Sequence, residues 1–185
     1  MVNNVVKKRL LQIIKEKAVF HSSVILSSGR VSGYYIDARK ITLSAEGSYL
    51  VAKLIFDLIK DEGIDAVGGP TVGADPIVGA VIYLSYLNNF PLQGFIVRKE
   101  AKKHGLQKLI EGPDLKKGCR VVIVDDVITT GSSTLMAAKA IENLGCKVVK
   151  IIALVDRLEG GKKNLEQSGF KLVSLFTAKD LSIDQ

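Results

Sequence analysis

The sequence predicts a single α/β domain with a mainly parallel central sheet flanked by helices. Its 185 residues have the length of one domain. Hydrophobic residues make up 47% and charged residues 24%, which is typical of globular chains and excludes an intrinsically disordered one. Short β-branched runs alternate with stretches of helical periodicity, a pattern that indicates parallel strands covered by helices on both faces. The domain is therefore expected to span residues 1–185.

The N-terminal segment, about residues 1–40, predicts a small subregion that we call the hood. Five basic residues interleave with apolar ones at helical spacing, as on the solvent face of an amphipathic helix. Two short β-like runs follow, Ser23–Leu26 and Tyr34–Asp37. The turn-forming residues between these runs indicate a hairpin.

The rest of the chain predicts helices and strands in alternation. Ser44 can cap a helix that Gly63 ends, and Gly145 ends a later helix. One predicted helix is apolar nearly all round and is therefore expected to be buried. The expected elements are a helix from Ser44 to about Lys60, a strand opening at Ala66-Val67, a helix at about Asp75–Leu87, strands at Phe95–Val97 and Arg120–Val124, a helix from about Ser132 to Leu144, a strand at Lys147–Val155, a helix over residues 160–168 and a last strand at Leu172–Leu175.

The net charge of +7 is concentrated in two places. Residues 1–20 carry a net +4, which the solvent face of the first helix explains more simply than contact with nucleic acid. Residues 98–120 carry a net +5 and include a stretch with no clear period. A structureless connection of this length, about residues 99–117, is usually a lid or a binding loop, and its charge indicates an anionic ligand. We therefore expect a mobile catalytic loop there.

Other features of the sequence argue against a membrane protein or a disulfide-stabilised one. No apolar run approaches the roughly eighteen residues of a membrane span, and the N-terminus lacks the pattern of a signal peptide. The two cysteines, Cys119 and Cys146, are too few for a disulfide framework and have no metal-ligand partners at usable spacing. We expect a cytoplasmic protein that does not bind membranes.

The most informative run begins with a β-branched strand and continues from Asp125 and Asp126 to Thr134. The carboxyl ends of parallel strands are where open α/β sheets bind ligands. The small residues Thr129–Ser133 then open a helix, and free backbone N–H groups at such a turn can cradle a phosphate. The two carboxylates could simply cap the next helix, but adjacent like charges repel and structure alone rarely calls for both. An acidic pair beside a cradle for one phosphate suits a sugar phosphate.

Two other phosphate-binding motifs are absent from the sequence. The nucleotide-triphosphate loop requires Gly-x-x-x-x-Gly-Lys-Ser/Thr, and the dinucleotide fingerprint requires Gly-x-Gly-x-x-Gly. The phosphate cradle is therefore expected to serve another class of ligand.

The run Val124–Ser133 resembles the phosphoribosyl-pyrophosphate (PRPP) signature of type I phosphoribosyltransferases. The segment from Arg98 to Gly105 resembles the catalytic loop of one branch, the orotate phosphoribosyltransferases. Residues 20–35, with Ser28-Gly29-Arg30, and Gly69-Pro70 with Gly73-Ala74-Asp75-Pro76 are similar to the same branch, as is the spacing from Thr129 to Arg157. Ser27 departs from the pattern, because many members carry a lysine there. The resemblance covers about residues 18–160 and implies the type I phosphoribosyltransferase fold.

The resemblance also implies the roles of individual residues. Asp125 and Asp126 would hold the ribose hydroxyls, and residues 69–73 would offer backbone N–H groups to the pyrophosphate. Lys102 and His104 would reach into the neighbouring subunit's site of a homodimer, with His104 a candidate proton donor. The residues implied to bind PRPP are Arg98, Lys99, Lys102, His104, Asp125, Asp126, Val127, Ile128, Thr129, Thr130, Gly131, Ser132 and Ser133. Those implied to bind orotate are Thr129, Arg157, Tyr34 and Tyr35.

The reaction implied by the resemblance is the Mg²⁺-dependent transfer of a phosphoribosyl group from PRPP to orotate. It gives orotidine 5-phosphate and pyrophosphate in the synthesis of UMP. The transition state would resemble an oxocarbenium ion, so cations around the departing diphosphate should dominate catalysis. Lys102, His104, Asp125 and Asp126 are the implied catalytic residues. The diphosphate would carry the Mg²⁺, with no metal site built from protein side chains alone.

Two other functions are compatible with part of this sequence pattern. A purine or another pyrimidine phosphoribosyltransferase would have the same Asp125–Ser133 run, but the Arg98–Gly105 segment and Arg157 argue against it. A PRPP-sensing regulator could use this fold to bind DNA. The first 20 residues, however, have room for one helix and not for a helix-turn-helix pair. We therefore expect small-molecule substrates and no nucleic acid.

Overall fold

The computed structural model describes residues 2–20, 24–25, 31–100 and 109–183. Its central element is a six-stranded sheet with helices on both faces, as the alternation of strands and helices predicts. The helices and strands are α1 (Val2–Lys17), β1 (Val19–Phe20), β2 (Val24–Ile25), β3 (Val31–Ser32), β4 (Tyr35–Ile36), α2 (Arg39–Thr42), α3 (Ala45–Ile59), β5 (Ala66–Pro70), α4 (Asp75–Leu87), β6 (Gln93–Val97), β7 (Ile110–Glu111), β8 (Arg120–Ile128), α5 (Ser132–Asn143), β9 (Lys147–Asp156), α6 (Gly161–Gln167) and β10 (Leu172–Thr177).

The strand order of the central sheet is β10-β9-β8-β5-β6-β7. All pairs are parallel except β6 with β7, which is antiparallel. Strand β8 lies between β5 and β9, and its residues Val121, Val122, Ile123, Val124 and Asp125 are buried. Because β5, β8 and β9 run in the same direction, their carboxyl ends at Pro70, Ile128 and Asp156 meet at one edge of the sheet.

Two apolar cores hold the helices against the sheet. Successive residues of β8 alternate between the cores, with Val122 and Val124 in the core shared with α1, α3 and α4. Val121 and Ile123 belong to the other core, shared with α5 and α6. This alternation follows from the two-residue period of a strand and explains why the strand is apolar on both faces.

The N-terminal hood has a different strand pairing from the predicted one. Tyr35–Ile36 pairs with Val19–Phe20, and Val24–Ile25 pairs with Val31–Ser32, both antiparallel. The predicted partnership of Ser23–Leu26 with Tyr34–Asp37 is therefore wrong, and the predicted turn between the two runs lies outside the described residues. Each ribbon is only two residues long, so the hydrophobic pattern is too short to specify the register.

Several elements differ in extent from their sequence predictions. The strand β5 continues through Gly68 and Gly69 to Pro70, where a break was expected. The strand β8 continues past Val124 to Ile128, so the two carboxylates lie within it. The short helix α2 was not predicted. Part of the expected structureless connection is also ordered, because β7 pairs with β6 at Val97 and Ile96.

No helix in the described part of the chain is long and apolar enough to cross a membrane.

Candidate active site

A cleft of about 820 Å³ opens at the carboxyl edge of the sheet. Four parts of the chain line it: residues 35–39 of the hood, residues 70–73 with Lys99, residues 125–134, and Arg157. Each of the four parts contains residues that were predicted to contact a ligand. The fold therefore brings most of the predicted site residues into one concave space.

The paired carboxylates of Asp125 and Asp126 lie in this cleft, at the end of β8. Asp125 is only 5% exposed, and the backbone N–H of Asp126 donates a hydrogen bond to its Oδ1 at 3.0 Å. The buried hydroxyl of Thr134, on the first turn of α5, donates to Asp125 Oδ2 at 2.6 Å. The backbone N–H of Val127 donates to Asp126 Oδ1 at 2.7 Å. Both carboxylates are thus held in fixed positions.

Burial changes the acidity of both groups. It is the main reason that the pKa of Asp125 rises from 3.8 to about 7, and repulsion from Asp126 adds to the rise. The hydrogen bond from Thr134 acts in the opposite direction because it stabilises the ionised form. Burial also raises the pKa of Asp126, against the backbone N–H of Val127 and the positive charge of Arg39. Asp125 is therefore poised to change protonation near neutral pH.

If the cleft binds PRPP, as the resemblance implies, replacing Thr134 with valine should make the activity more sensitive to acid. Without the hydroxyl the pKa of Asp125 rises further, so the acidic limb of the kcat/KM profile for PRPP should move to higher pH. A hydrogen bond to a charged group contributes about 1.5–3 kcal/mol, so kcat/KM at pH 6 should fall about tenfold while the value at pH 9 changes little. Thr134→Ser keeps the donor and should restore the profile. An unchanged pH dependence in the valine variant would contradict this role.

The turn at Thr129–Ser133 has the backbone form of a phosphate cradle. Gly131 adopts φ 76° immediately before α5, a left-handed conformation that favours glycine, and α5 begins at Ser132. The first N–H groups of this twelve-residue helix have no acceptor within the helix itself. The amide Nδ2 of Asn164, on α6, donates to the carbonyl oxygen of Thr130 at 3.0 Å. The cradle is thus supported from the next helix along the chain.

Close packing against Gly161 also holds the phosphate cradle. A Cβ at Gly161 would lie 2.4 Å from Cγ2 of Ile128 and 2.5 Å from the carbonyl oxygen of Thr129. The first residue of α6 therefore touches the backbone of the cradle itself. Sequence analysis did not identify Asn164 or Gly161, because both lie some thirty residues from the motif that they support.

Replacing Gly161 with alanine should displace the phosphate cradle. Overpacking of this kind costs about 1–3 kcal/mol, and we expect a raised KM for PRPP together with a lower melting temperature. Gly79→Ala is a matched control, because no atom lies within 4 Å of its added Cβ and it sits within α4. The control should leave KM unchanged. Steady-state kinetics and thermal unfolding of both variants test the prediction, and an unchanged KM in Gly161→Ala would contradict it.

The turn after β5 lies against the carboxylate pair. A Cβ at Gly73 would be 2.4 Å from Oδ1 of Asp126, and a Cβ at Gly69 would be 2.0 Å from the carbonyl oxygen of Val124. Only glycine permits these two approaches. Residues 69–73, the predicted pyrophosphate-binding turn, therefore adjoin the predicted ribose-binding carboxylates.

Arg157 follows β9 and joins the cleft to the hood. Its backbone N–H donates to the carbonyl oxygen of Ile128 at 2.9 Å, and its side chain is 3% exposed. The Nε atom lies 2.7 Å from Oε1 of Glu159, and the guanidinium stacks 4.3 Å from the ring centroid of Tyr34. Tyr35 lines the cleft. Tyr34 is buried and does not line it, but its ring packs against the guanidinium of Arg157, which does. The four predicted orotate-binding residues thus fall at one site.

Two of the four predicted diphosphate-binding residues, Arg98 and Lys99, lie among the described residues. Lys99 lines the cleft. Arg98 instead lies beside β7, where its Nη1 is 3.8 Å from Oε1 of Glu111. Lys102 and His104 fall outside the described residues, so their positions stay predictions. Ser27 also falls outside the described residues.

Within the described ranges, no group of three or more His, Cys, Asp or Glu side chains could hold a metal ion. Two carboxylates beside a diphosphate are nevertheless compatible with Mg²⁺, which usually keeps several waters and is bound largely through substrate phosphates. The donor set therefore fits a magnesium ion that arrives with its substrate.

Comparison with known proteins agrees with this geometry. The model of the phosphoribosyl transferase domain family matches residues 42–178. Orotate phosphoribosyltransferase of Aquifex aeolicus is 46% identical over 176 residues, covering 95% of this chain and 93% of that protein. The Streptomyces coelicolor enzyme of the same name is 43% identical over 180 residues, covering 97% and 98%.

A solved structure supports the same assignment. Orotate phosphoribosyltransferase of Mycobacterium tuberculosis H37Rv, in complex with PRPP, superposes with a TM-score of 0.79 at 34% identity and covers 96% of this chain and 99% of that one. The similarity spans the sheet, the cleft and the hood. The chain therefore belongs to the orotate phosphoribosyltransferases, pentosyltransferase enzymes of pyrimidine biosynthesis.

Proposed function

We propose that this enzyme transfers the phosphoribosyl group of PRPP to orotate in an Mg²⁺-dependent reaction. The products are orotidine 5-phosphate and pyrophosphate. The observation that carries the proposal is one cleft that combines a carboxylate pair, a cradle for one phosphate and a buried arginine. A sugar phosphate and an anionic base match these three features in charge and size.

Each part of PRPP has a matching part of the cleft. The residues Thr129–Ser133 receive the 5-phosphate through backbone N–H groups and hydroxyls. Asp125 and Asp126 accept hydrogen bonds from the ribose hydroxyls, and their fixed geometry orients the ring. Residues 69–73 and Lys99 face the diphosphate. This arrangement holds C1 of the ribose between the leaving group and the base.

The base side of the cleft suits a planar anion. Arg157 presents a rigid fork of donors, a shape that matches a carboxylate. Glu159 and the ring of Tyr34 fix the orientation of its guanidinium. Thr129 lies at the boundary between the phosphate cradle and this side, where its hydroxyl can contact the base. A neutral purine has no carboxylate to match the remaining donors of this fork, which disfavours purine substrates.

In the reaction, the bond from C1 to the diphosphate oxygen breaks as a bond from C1 to a ring nitrogen of orotate forms, and that nitrogen releases its proton to solvent. The electron pair of the broken bond leaves with the pyrophosphate. Asp125 and Asp126 stabilise the positive charge that develops on the ribose, and Lys99 attracts the departing anion. When bound, Mg²⁺ neutralises further charge on the diphosphate. Lys102 and His104 are proposed to add cations and a proton to the leaving group, as part of a loop that excludes water.

The proposed assembly is a homodimer in which Lys102 and His104 serve the neighbouring subunit's site. The catalytic loop is proposed to span about residues 99–117, with its described part anchored by β7. We further propose that the enzyme acts in the cytoplasm on small molecules and binds neither nucleic acid nor membranes. The resemblance of the Arg98–Gly105 segment to the family supports the proposed loop and the shared site.

Steady-state assays with PRPP and four bases test the proposed function. We expect turnover with orotate, at most weak turnover with uracil, and none with adenine or hypoxanthine. Removing Mg²⁺ with a chelator should stop the reaction, and adding it back should restore it. Turnover of another base without turnover of orotate would overturn the assignment.

A further inference from the structure

Arg39 is a cation of the hood that lines the same cleft as the carboxylate pair and the phosphate cradle. It is the first residue of the four-residue helix α2, which the sequence did not predict. No role follows for Arg39 from the motifs considered above. Its position nevertheless places a permanent positive charge on the hood side of the substrate space.

Two contacts hold the guanidinium of Arg39 in place. Its Nε donates to Oδ1 of Asp37 at 3.1 Å, and its Nη2 donates to the hydroxyl oxygen of Tyr35 at 3.2 Å. Both partners also line the cleft. The side chain remains 45% exposed, so the group is positioned without being buried. A cation that is oriented in advance costs little additional ordering when an anion binds.

The charge of Arg39 acts near the diphosphate side of the cleft. It lowers the pKa of Asp126, against the larger effect of burial. The same Asp126 carboxylate touches Gly73, at the end of the predicted pyrophosphate-binding turn. Arg39 and that turn therefore both lie in the part of the cleft around one carboxylate, that of Asp126.

In the described part of the cleft, the cationic side chains do not outnumber the carboxylates, although the proposed substrate is an anion. The lining of the cleft contains the carboxylates of Asp37, Asp125 and Asp126. Against them stand the cations of Arg39, Lys99 and Arg157, so the described lining has no net positive charge. PRPP carries a phosphate and a diphosphate, and Arg157 lies among the residues that suit the base. The fixed cations left for the diphosphate in this part of the chain are Lys99 and Arg39.

We propose that Arg39 binds the diphosphate of PRPP and the pyrophosphate product, as a substrate-binding residue contributed by the hood. The inference rests on the proposed function for the identity of the substrate. The hood thereby supplies a permanent cation to the leaving group, in addition to the contacts that residues 69–73 offer. An alternative explanation is that Arg39 serves only to pair with Asp37 and to stabilise the hood.

Binding of Mg²⁺-pyrophosphate and of ribose 5-phosphate, each measured by calorimetry, tests the proposal. Arg39→Gln should weaken pyrophosphate binding about tenfold, since a hydrogen bond between charged groups contributes about 1.5–3 kcal/mol. The affinity for ribose 5-phosphate, which lacks the diphosphate, should change by less than about twofold by the same reasoning. Arg39→Lys should lie between the wild type and Arg39→Gln for pyrophosphate, because it keeps the charge but loses the fork.

Two further variants separate ligand binding from a structural role. Lys40→Gln removes the neighbouring charge on α2, whose ammonium lies 4.5 Å from the ring centroid of Phe20, and should leave both affinities unchanged. Asp37→Asn breaks the ion pair but keeps Arg39, so it should weaken pyrophosphate binding less than Arg39→Gln does. Equal losses in Asp37→Asn and Arg39→Gln, parallel losses for both ligands, or an unchanged pyrophosphate affinity in Arg39→Gln would each overturn the proposal.

These measurements do not depend on the base. If the enzyme binds pyrophosphate through Arg39 but does not use orotate, the proposed function fails and the role of Arg39 stands. If orotate is turned over and Arg39→Gln binds pyrophosphate normally, the proposed function stands and the role of Arg39 fails.

Discussion

Asp125→Asn should nearly abolish turnover and yet stabilise the folded protein above neutral pH. The loss of activity follows because an amide cannot accept hydrogen bonds from the ribose as a carboxylate does or stabilise positive charge on it. Removing one such electrostatic contact costs about 10²–10³-fold in kcat. Steady-state kinetics with saturating PRPP measure this loss.

The gain in stability follows from the raised pKa of Asp125. Burial raises this pKa from 3.8 to about 7, so the folded state binds a proton that the unfolded state has released between those pH values. The free energy of unfolding of the wild type therefore falls as the pH rises through this range. Asparagine carries no charge to bury, and its amide can donate to the hydroxyl of Thr134 while its oxygen accepts from Asp126 N–H.

Urea unfolding of both proteins at pH 5 and pH 8 measures the effect. Each unit of pKa shift corresponds to about 1.4 kcal/mol, so the advantage of Asp125→Asn should grow by an amount on the order of 2 kcal/mol between these pH values. Asp61→Asn, an exposed aspartate, is the control and should give no pH-dependent difference. An advantage that shrinks as the pH rises would show that the carboxylate is not destabilised by burial.

Lys102→Ala should remove most of the turnover and leave the fold intact. The lysine is proposed to act on charge that develops on the departing diphosphate, so its loss should appear mainly in kcat rather than in KM. We expect a loss of about 10²–10³-fold, comparable to the removal of one transition-state donor. Lys117→Ala, an exposed lysine in the same basic segment, is the matched control and should keep near wild-type kcat.

Mixing two inactive variants tests whether the active sites are shared. Lys102→Ala supplies intact carboxylates, and an Asp125→Asn/Asp126→Asn variant supplies an intact Lys102. If subunits exchange and each site combines residues from both chains, one of the two sites in a mixed dimer regains every part. Activity should therefore return to about a quarter of the wild-type value in an equimolar mixture, since half of the dimers are mixed and each has one complete site. A mixture with no more activity than its components, after confirmed subunit exchange, would refute a shared site.

The sequence was most informative where the chemistry lies in consecutive residues. The buried strand, the two carboxylates and the small-residue turn from Val121 to Thr134 form one continuous run, and their pattern predicted both the fold and the cleft. Strands buried on both faces carry a strong apolar signal, so the central sheet was also predictable. The exact end of β8 was missed, because Asp125 and Asp126 are poor strand formers that β9 nevertheless holds in register.

The contacts that depend on distant parts of the chain were not predictable in the same way. Arg39 lines the same cleft as Asp126 because of the way the chain folds, and no local sequence pattern around Arg39 predicts that placement. In the sequence, Thr134 looks like an ordinary residue of a helix, and only the structure shows that its hydroxyl donates a hydrogen bond to Asp125. The strand pairing of the hood was also mistaken, since two-residue ribbons leave several registers nearly equal in energy.

The segment between β9 and α6 looks like an ordinary surface connection, yet it tolerates little change in length. Arg157 and Glu159 lie at its start, on the proposed base side of the cleft, and Gly161 and Asn164 of the helix that follows it contact the turn at Thr129–Ser133. Inserting or deleting one residue would shift one pair relative to the other and so misalign two substrates at once. Surface loops usually absorb such changes during evolution, whereas this one is expected to act as a spacer of fixed length between the two proposed binding sites.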